Sequence, residues 1–258
     1  MSQLSVQHLA ISYQMKRTRQ TLEAVHDASF AVDHGEFVSI VGPSGCGKTS
    51  ILHAVAGLLA PERGVMSLDG HPIQGPGRDR AMVFQSPALL PWRTVLRNVA
   101  YGLELQGMAQ GEACDRARRY VELVGLHGFE ESYPNELSGG MQQRANLARA
   151  LAVEPRMLLF DEPLSALDAQ SREHMQAELQ RIWLEQRTTA LYVTHQISEA
   201  LFLSDRVVVM SSRPGRIKAI IPVEEERPRR LGIQRTASFL RLEEQIWSLL
   251  DRPVHSVA

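Results

Sequence analysis

"EFVSIVGPSGCGKTSILHAVAGLL", residues 36–59, is the stretch that decides the fold. An apolar run, Phe37 to Val41, enters a loop holding Gly42, Gly45 and Gly47, and apolar residues at helical spacing follow Lys48. "GPSGCGKT" satisfies G-x-x-x-x-G-K-[ST] in full, in the strand, loop, helix order that a phosphate-binding loop requires. The glycines let backbone N–H groups turn inward on phosphate oxygens, and the helix start adds its positive end. Lys48 is then expected to reach β and γ phosphates, and the Thr49 hydroxyl to ligate Mg²⁺. A glycine-rich turn with a chance lysine explains neither the spacing nor the flanking elements.

Outward from this loop, residues 4–13 and 24–41 read as strands separated by a basic, flexible turn, "QMKRTRQ". "VMSLDG" and "RAMVFQ" read as further strands, with turn signals in "DGHPIQGPGRDR". From about residue 94 to 135 the pattern is helical, in "TVLRNVAYGLELQG" and "GEACDRARRYVELVGL". Alternation then resumes: strand "RMLLF", helix 170–187, strand "TALYVT", helix 196–203, strand "RVVVM". Strands alternating with helices predict an α/β fold with a mainly parallel core sheet covered on both faces. Beyond about residue 223, "EEERPRRLGIQR" is polar and proline-broken, and "SFLRLEEQIWSLL" is amphipathic. Its Phe239, Leu240, Leu242, Ile246 and Trp247 are expected to pack on the core. The expected organisation is one nucleotide-binding domain over 1–222, with a helical subdomain inserted at about 94–150, and a short tail over 223–258.

Composition narrows the partners. With 28 basic and 29 acidic residues in 258, the net charge of −1 offers no global attraction to nucleic acid. Two cysteines, Cys46 and Cys114, one of them inside the glycine loop, argue for a reducing compartment without a disulfide framework. "MSQLSVQHLAISYQ" lacks the basic and apolar regions of a secretory signal, and no window approaches the ~20 apolar residues of a membrane span. The chain is therefore expected to be peripheral if it works at a membrane.

Other motifs gather around the phosphate loop. In "RMLLFDEP" an apolar strand ends in Asp161, a carboxylate placed to meet Mg²⁺, and Glu162 follows, able to polarise or deprotonate an attacking water. Gln85 ends "MVFQ" and His195 follows "ALYVT", so both reach the same kind of strand end. Taken singly, these residues also fit a solvated acidic pair, a structural histidine and an ordinary strand-end glutamine. Taken with the loop, Gln85, Asp161, Glu162 and His195 are expected to form one ring at one sheet edge. A second anion cradle, "ELSGGMQQRANLARAL" at 136–151, opens another helix.

These elements resemble, in order and spacing, the nucleotide-binding subunit of ATP-binding cassette (ABC) transporters over roughly residues 4–222. "LSGGMQQR" is the motif that separates this family from other phosphate-loop NTPases. The resemblance implies an ABC cassette with an antiparallel β subdomain and a helical insert, using ATP and Mg²⁺. It implies that Gly42, Pro43, Ser44, Gly45, Cys46, Gly47, Lys48, Thr49 and Ser50 hold the phosphates and that Tyr13 stacks on adenine. Thr49, Gln85 and Asp161 would hold the metal, and Glu162, His195, Gln85 and Lys48 would carry catalysis. Ser138, Gly139, Gly140 and Gln142, with Asp168 of the loop "SALD", would act across a homodimer, closing on the γ-phosphate held by the other copy's Lys48.

Two integral membrane permease subunits and, indirectly, an extracytoplasmic solute-binding protein are the implied partners, at the cytoplasmic face of the inner membrane. Leu89, Leu90 and Trp92 in "SPALLPWRTVLRNVAYGL" are candidate exposed contacts to the permease, or an internal loop packed on the insert. "FQSPALLPWRTVLRNV", "YPNELSGGMQQR", "DEPLSALDAQSR", "VTHQISEAL" and above all "VVVMSSRPGRI" look like the cassettes of nitrate, sulfonate and taurine importers. Asn146 and Gln196 depart from that pattern, in place of an apolar and an acidic residue, and Ser165 stands where glycine or serine is usual. The alternatives are a separate-subunit exporter and a non-transport ABC ATPase. A phosphate-loop kinase or guanine-nucleotide switch would leave "LSGGMQQR" unexplained, and the chain has no N-K-x-D.

Overall fold

The computed structural model describes residues 2–15 and 20–251. The centre of the turn expected at 14–20 lies outside them. Two compact units result, one from residues 1–77 with 189–258, the other from 78–188.

The first unit begins with an antiparallel sheet of β1 (Ser2–Gln14), β2 (Thr21–Asp33), β4 (Arg63–Leu68) and β5 (His71–Pro72), in the order β2-β1-β4-β5. Strict alternation fails in β1 because the register slips between Val6 and Leu9. His8 and Asp27 both take positive φ there, and their side chains pair at 2.7 Å. The bulge resets the parity, so that Leu4 and Val6 before it and Leu9 and Ile11 after it are all buried.

The stretch 24–41, expected as one strand, is two. Gly35, at φ 66°, turns the chain after Asp33, and β3 (Phe37–Val41) joins a different sheet. There β3 pairs in parallel with β8 (Thr189–Val193) and β9 (Arg206–Met210), and β9 pairs antiparallel with β10 (Ile217–Pro222). Every residue of β3 and β8 is buried, as their apolar runs require of strands covered on two faces. The sequence reading did not place β10, whose "IKAIIP" alternates weakly behind a proline-glycine turn.

Helices α1 (Lys48–Val55), α6 (Ile197–Leu203) and α7 (Ala237–Asp251) complete this unit. Phe239 and Ile246 of α7 pack into a cluster with Leu201, Val207, Val209 and Ile221, with Leu242 at its margin. Leu240 and Trp247, expected on the same face, point outward at 51% and 53% exposure. They lie seven residues apart, each one position on from Phe239 and Ile246 and so about 100° round the helix from the packed stripe.

The polar stretch before α7 is anchored tightly. Arg229 is buried, and its Nη1 donates to the carbonyls of Leu201, Phe202 and Ser204 at 3.0, 3.1 and 2.7 Å. Its Nη2 donates to Val223 O and its Nε to Glu225 O. Arg227 donates to Leu203 O and to Asp205 Oδ1. The cations thus satisfy the free carbonyls at the C-terminal end of α6. Burial lowers the Arg229 guanidinium to about 10, which leaves it charged at neutral pH.

The second unit holds the parallel pair β6 (Arg80–Val83) and β7 (Met157–Asp161), with α2 (Val95–Leu105), α3 (Gln110–Leu123), α4 (Gly139–Ala152) and α5 (Ala169–Gln186). Thr94 caps α2, accepting from Arg97 N. Buried Asn98 ties down the preceding segment, donating to Leu90, Arg93 and Thr94 carbonyls and accepting from Leu90 N at 2.7 Å. Trp92 is consequently presented outward at 71% exposure, whereas Leu89 and Leu90, expected to be exposed, are half-buried. Among the described residues no helix is long and apolar enough to cross a membrane.

Arg229→Met should lower stability by about 2–4 kcal/mol, because it strands several buried carbonyls at once. Urea denaturation checks this, and a loss under about 0.5 kcal/mol would show that the anchor is dispensable.

Candidate nucleotide-binding site

Lys48, Thr49, Tyr13 and His195 belong to the first unit; Gln85, Ser138, Asp161, Glu162 and Asp168 belong to the second. In the first, the buried strand β3 runs into the loop and then into α1, as the motif requires.

The glycines are needed for different reasons. At Gly42 the loop passes so near its surroundings that a Cβ would lie 2.8 Å from Cys46 Sγ and 3.1 Å from Met210 Cβ. Gly47 stands at the start of α1 with φ 98°, and a Cβ there would lie 2.5 Å from Val25 Cγ2. No side chain caps α1, and a helix start of this kind turns its positive end toward an anion. Lys48 is buried and donates from Nζ to Gly42 O at 2.8 Å and Pro43 O at 3.2 Å, which holds its charge over the loop. Cys46 is buried too, and burial raises its thiol pKa. Ser44 is exposed, while Thr49 and Ser50 are partly so.

Tyr13 reaches the same loop from β1, its hydroxyl donating to Ser50 Oγ at 2.9 Å with the residue 40% exposed. His195 arrives by register. Ile40 pairs with Val193, so Gly42 and His195, each two residues further on, leave the sheet at one level. Thr194, between strand and helix, donates its hydroxyl to Glu199 Oε2 and accepts from Gln196 N, and His195 beside it is exposed.

In the second unit the register of β6 and β7 does the equivalent work. Val83 pairs with Phe160, so Phe84 is level with Asp161 and Gln85 with Glu162. Asp161 and Glu162 are partly buried, and Glu162 takes φ 44°, a turn out of the strand that separates its side chain from that of Asp161. Ser165 closes this turn, donating to Glu162 O. Asp168 caps α5, and the N–H of Ser171 that it accepts lowers its pKa.

Ser138 caps α4 by accepting from Met141 N at 3.3 Å, and its carbonyl accepts from Gln142 N. The amides of Gly139 and Gly140 are the ones in the first turn that these bonds do not use. Ser138 and Gly139 are exposed, and open space surrounds the Cβ position of Gly140. Gln142 turns back, donating its side-chain amide to Pro134 and Leu137 carbonyls.

The sequence reading missed what α4 does to the segment after β6. Gln143 and Asn146, both buried, donate to Phe84 O at 3.4 Å, and Arg149 donates to Ala88 O and Asn146 Oδ1. Asn146, a departure from the importer pattern, is therefore a buried connector between the signature helix and the residues flanking Gln85. Its signal in the sequence was a polar residue where the importer pattern has an apolar one.

The family described as ABC transporter matches residues 25–165. The nitrate import ATP-binding protein NrtD of Synechocystis is 45% identical over 90% of this chain and 90% of its own length. The taurine import ATP-binding protein TauB of Burkholderia pseudomallei is 45% identical, covering 85% and 84% of the two chains. An uncharacterized ABC transporter ATP-binding protein of Methanocaldococcus jannaschii, MJ0412, is 46% identical over 97% of this chain and 92% of its own. Among solved structures, the dimeric ATP-binding cassette MJ0796 bound to ADP and Pi superimposes with a TM-score of 0.74 at 30% identity, over 86% of this chain and all of that one. The chain belongs to the ABC transporter family, as an ATP-binding cassette with ATPase activity.

Gly47→Ala should destabilise the protein by about 1–3 kcal/mol, since it combines a positive φ with a Cβ clash. A denaturation midpoint equal to that of the parent would mean that the loop relaxes freely around Val25.

Proposed function

We propose that the chain is the ATP-hydrolysing subunit of an importer for a small solute of the nitrate, sulfonate or taurine kind. The observation that carries the two-copy part of this reading is the exposed, glycine-lined start of α4, whose free amides suit a phosphate brought by another molecule. The 45% identity to nitrate and taurine import proteins supports the solute class.

In this reading Lys48 and the loop amides of 42–50 hold the β and γ phosphates, and Tyr13 stacks on the base. Glu162 orients and deprotonates the attacking water, while Gln85 and His195 position it against the γ-phosphate. Ser138, Gly139 and Gly140 of a second copy, with Gln142 and Asp168, close over that phosphate. The hydroxyl of Thr49, the amide oxygen of Gln85 and the carboxylate of Asp161 are hard oxygens of the kind that suits Mg²⁺; they would hold the ion, which would neutralise charge on the phosphates. Closure of the homodimer moves two permease subunits at the cytoplasmic face of the inner membrane, and hydrolysis resets it. Trp92, on the segment that Asn98 of the 94–150 insert anchors just before it, is the contact offered to the permease. A binding protein outside the membrane selects the solute.

Two substitutions test the roles. Glu162→Gln should bind ATP, lose at least about a hundredfold in turnover and sediment as an ATP-dependent dimer, general-base loss being of that order; rapid hydrolysis would remove Glu162 from the base role. Ser138→Arg should leave ATP affinity of the monomer within about twofold of the parent yet abolish turnover. Loss of ATP binding by the isolated copy would instead place Ser138 on its own chain's nucleotide.

A further inference from the structure

"VVVMSSRPGRI", residues 207–217, takes no part in the chemistry above, yet it is built directly against the phosphate loop. Val41 pairs with Val209, so β3 and β9 leave the sheet side by side, one into residues 42–47 and the other into 211–216. The second loop is firm. Ser211 N donates to Arg216 O, Arg216 N donates to Ser211 Oγ, and that hydroxyl donates to the carbonyls of Ser212 and Pro214. Two backbone bonds fasten it to β2, from Gly215 N to Ala24 O at 2.9 Å and from His26 N to Gly215 O at 2.8 Å.

Two contacts pass from this loop to the phosphate loop. Arg213 donates from both Nε and Nη2 to Gly45 O, at 3.1 and 3.0 Å. Gly215 lies on the next carbonyl, where a Cβ would stand 1.9 Å from Cys46 O. A peptide unit is planar, and in the trans form its C=O and the following N–H point in opposite directions. Holding Gly45 O fixes the orientation of Cys46 N–H, which closes the loop by donating to Pro43 O at 3.3 Å, and backing Cys46 O fixes that of Gly47 N–H. These are amides of the phosphate-binding loop itself.

We propose that Arg213 is a positioning residue for nucleotide phosphate. By tying the Gly45 carbonyl outward it presets the loop's amides, so it governs affinity for ATP rather than the rate at which bound ATP is hydrolysed. The gain comes from ordering the loop before the nucleotide arrives, which reduces what binding must immobilise.

The test is steady-state MgATP hydrolysis by the full chain with Arg213→Ala. The KM for ATP should rise about five- to tenfold, the scale of the net contribution of one ordinary hydrogen bond, with kcat within about twofold. The melting temperature without nucleotide should stay within about 2 °C, because the side chain is exposed. Arg213→Lys, which keeps the charge and one donor, should fall between Ala and the parent. Gly215→Ala should raise KM by the other route; should it fail to fold, Arg213 alone decides. A KM within twofold of the parent in Arg213→Ala, a loss confined to kcat, or a lysine variant no better than alanine would each overturn the proposal.

Discussion

Backbone amides can hold an anion as highly charged as a triphosphate only where several of them converge with no side chain in the way. A buried strand that turns through glycines into a helix satisfies that demand, and the rest of the first unit follows from it. Strand β3 must be covered on both faces to deliver the turn rigidly, hence its wholly buried residues. Its parallel neighbours then release their own loops at the same edge. The register with β8 sets His195 level with Gly42, and the register with β9 sets the Arg213 loop beside the phosphate loop. Even Val25 of the antiparallel sheet is fitted to the absence of a side chain at Gly47.

The second unit repeats the device at lower density. The start of α4 offers amides from two glycines under a serine cap, and residues 136–151 contain no lysine. A cradle of this kind, exposed and weaker than the first, suits an anion already held elsewhere. The same helix also grips the segment after β6 through Gln143, Asn146 and Arg149. Whatever touches Ser138 and Gly139 therefore acts on a helix that is hydrogen-bonded to the residues next to Gln85.

Much of this was legible because local chemistry and global placement agree there. Apolar runs announced β3, β7, β8 and β9, and Ser138 was recognisable as a helix start from the glycines that follow it. Where short-range and long-range demands diverge, the sequence reads poorly. Residues 24–41 look like one strand because both halves are apolar, and only the turn at Gly35 hands the chain from one sheet to another. The stretch around Arg227 and Arg229 looks like a solvated linker, but its cations are fixed by carbonyls at the end of a helix distant in sequence. The outward turn of Leu240 and Trp247 depends on where α7 meets its cluster, which apolar content does not specify. Tyr13 could be assigned to a strand from its residue type, but its bond to Ser50 is a product of the fold.

The central claim is that two cradles on one chain serve one phosphate on two chains. Complementation tests it most directly: Lys48→Ala keeps a working signature helix, and Ser138→Arg keeps a working phosphate loop. Each variant alone should be inactive, and mixing them should restore ATP turnover, because the mixed dimer contains one complete site. If the mixture stays as inactive as its parts while both proteins remain folded and the Ser138→Arg copy still binds ATP, the shared site is contradicted.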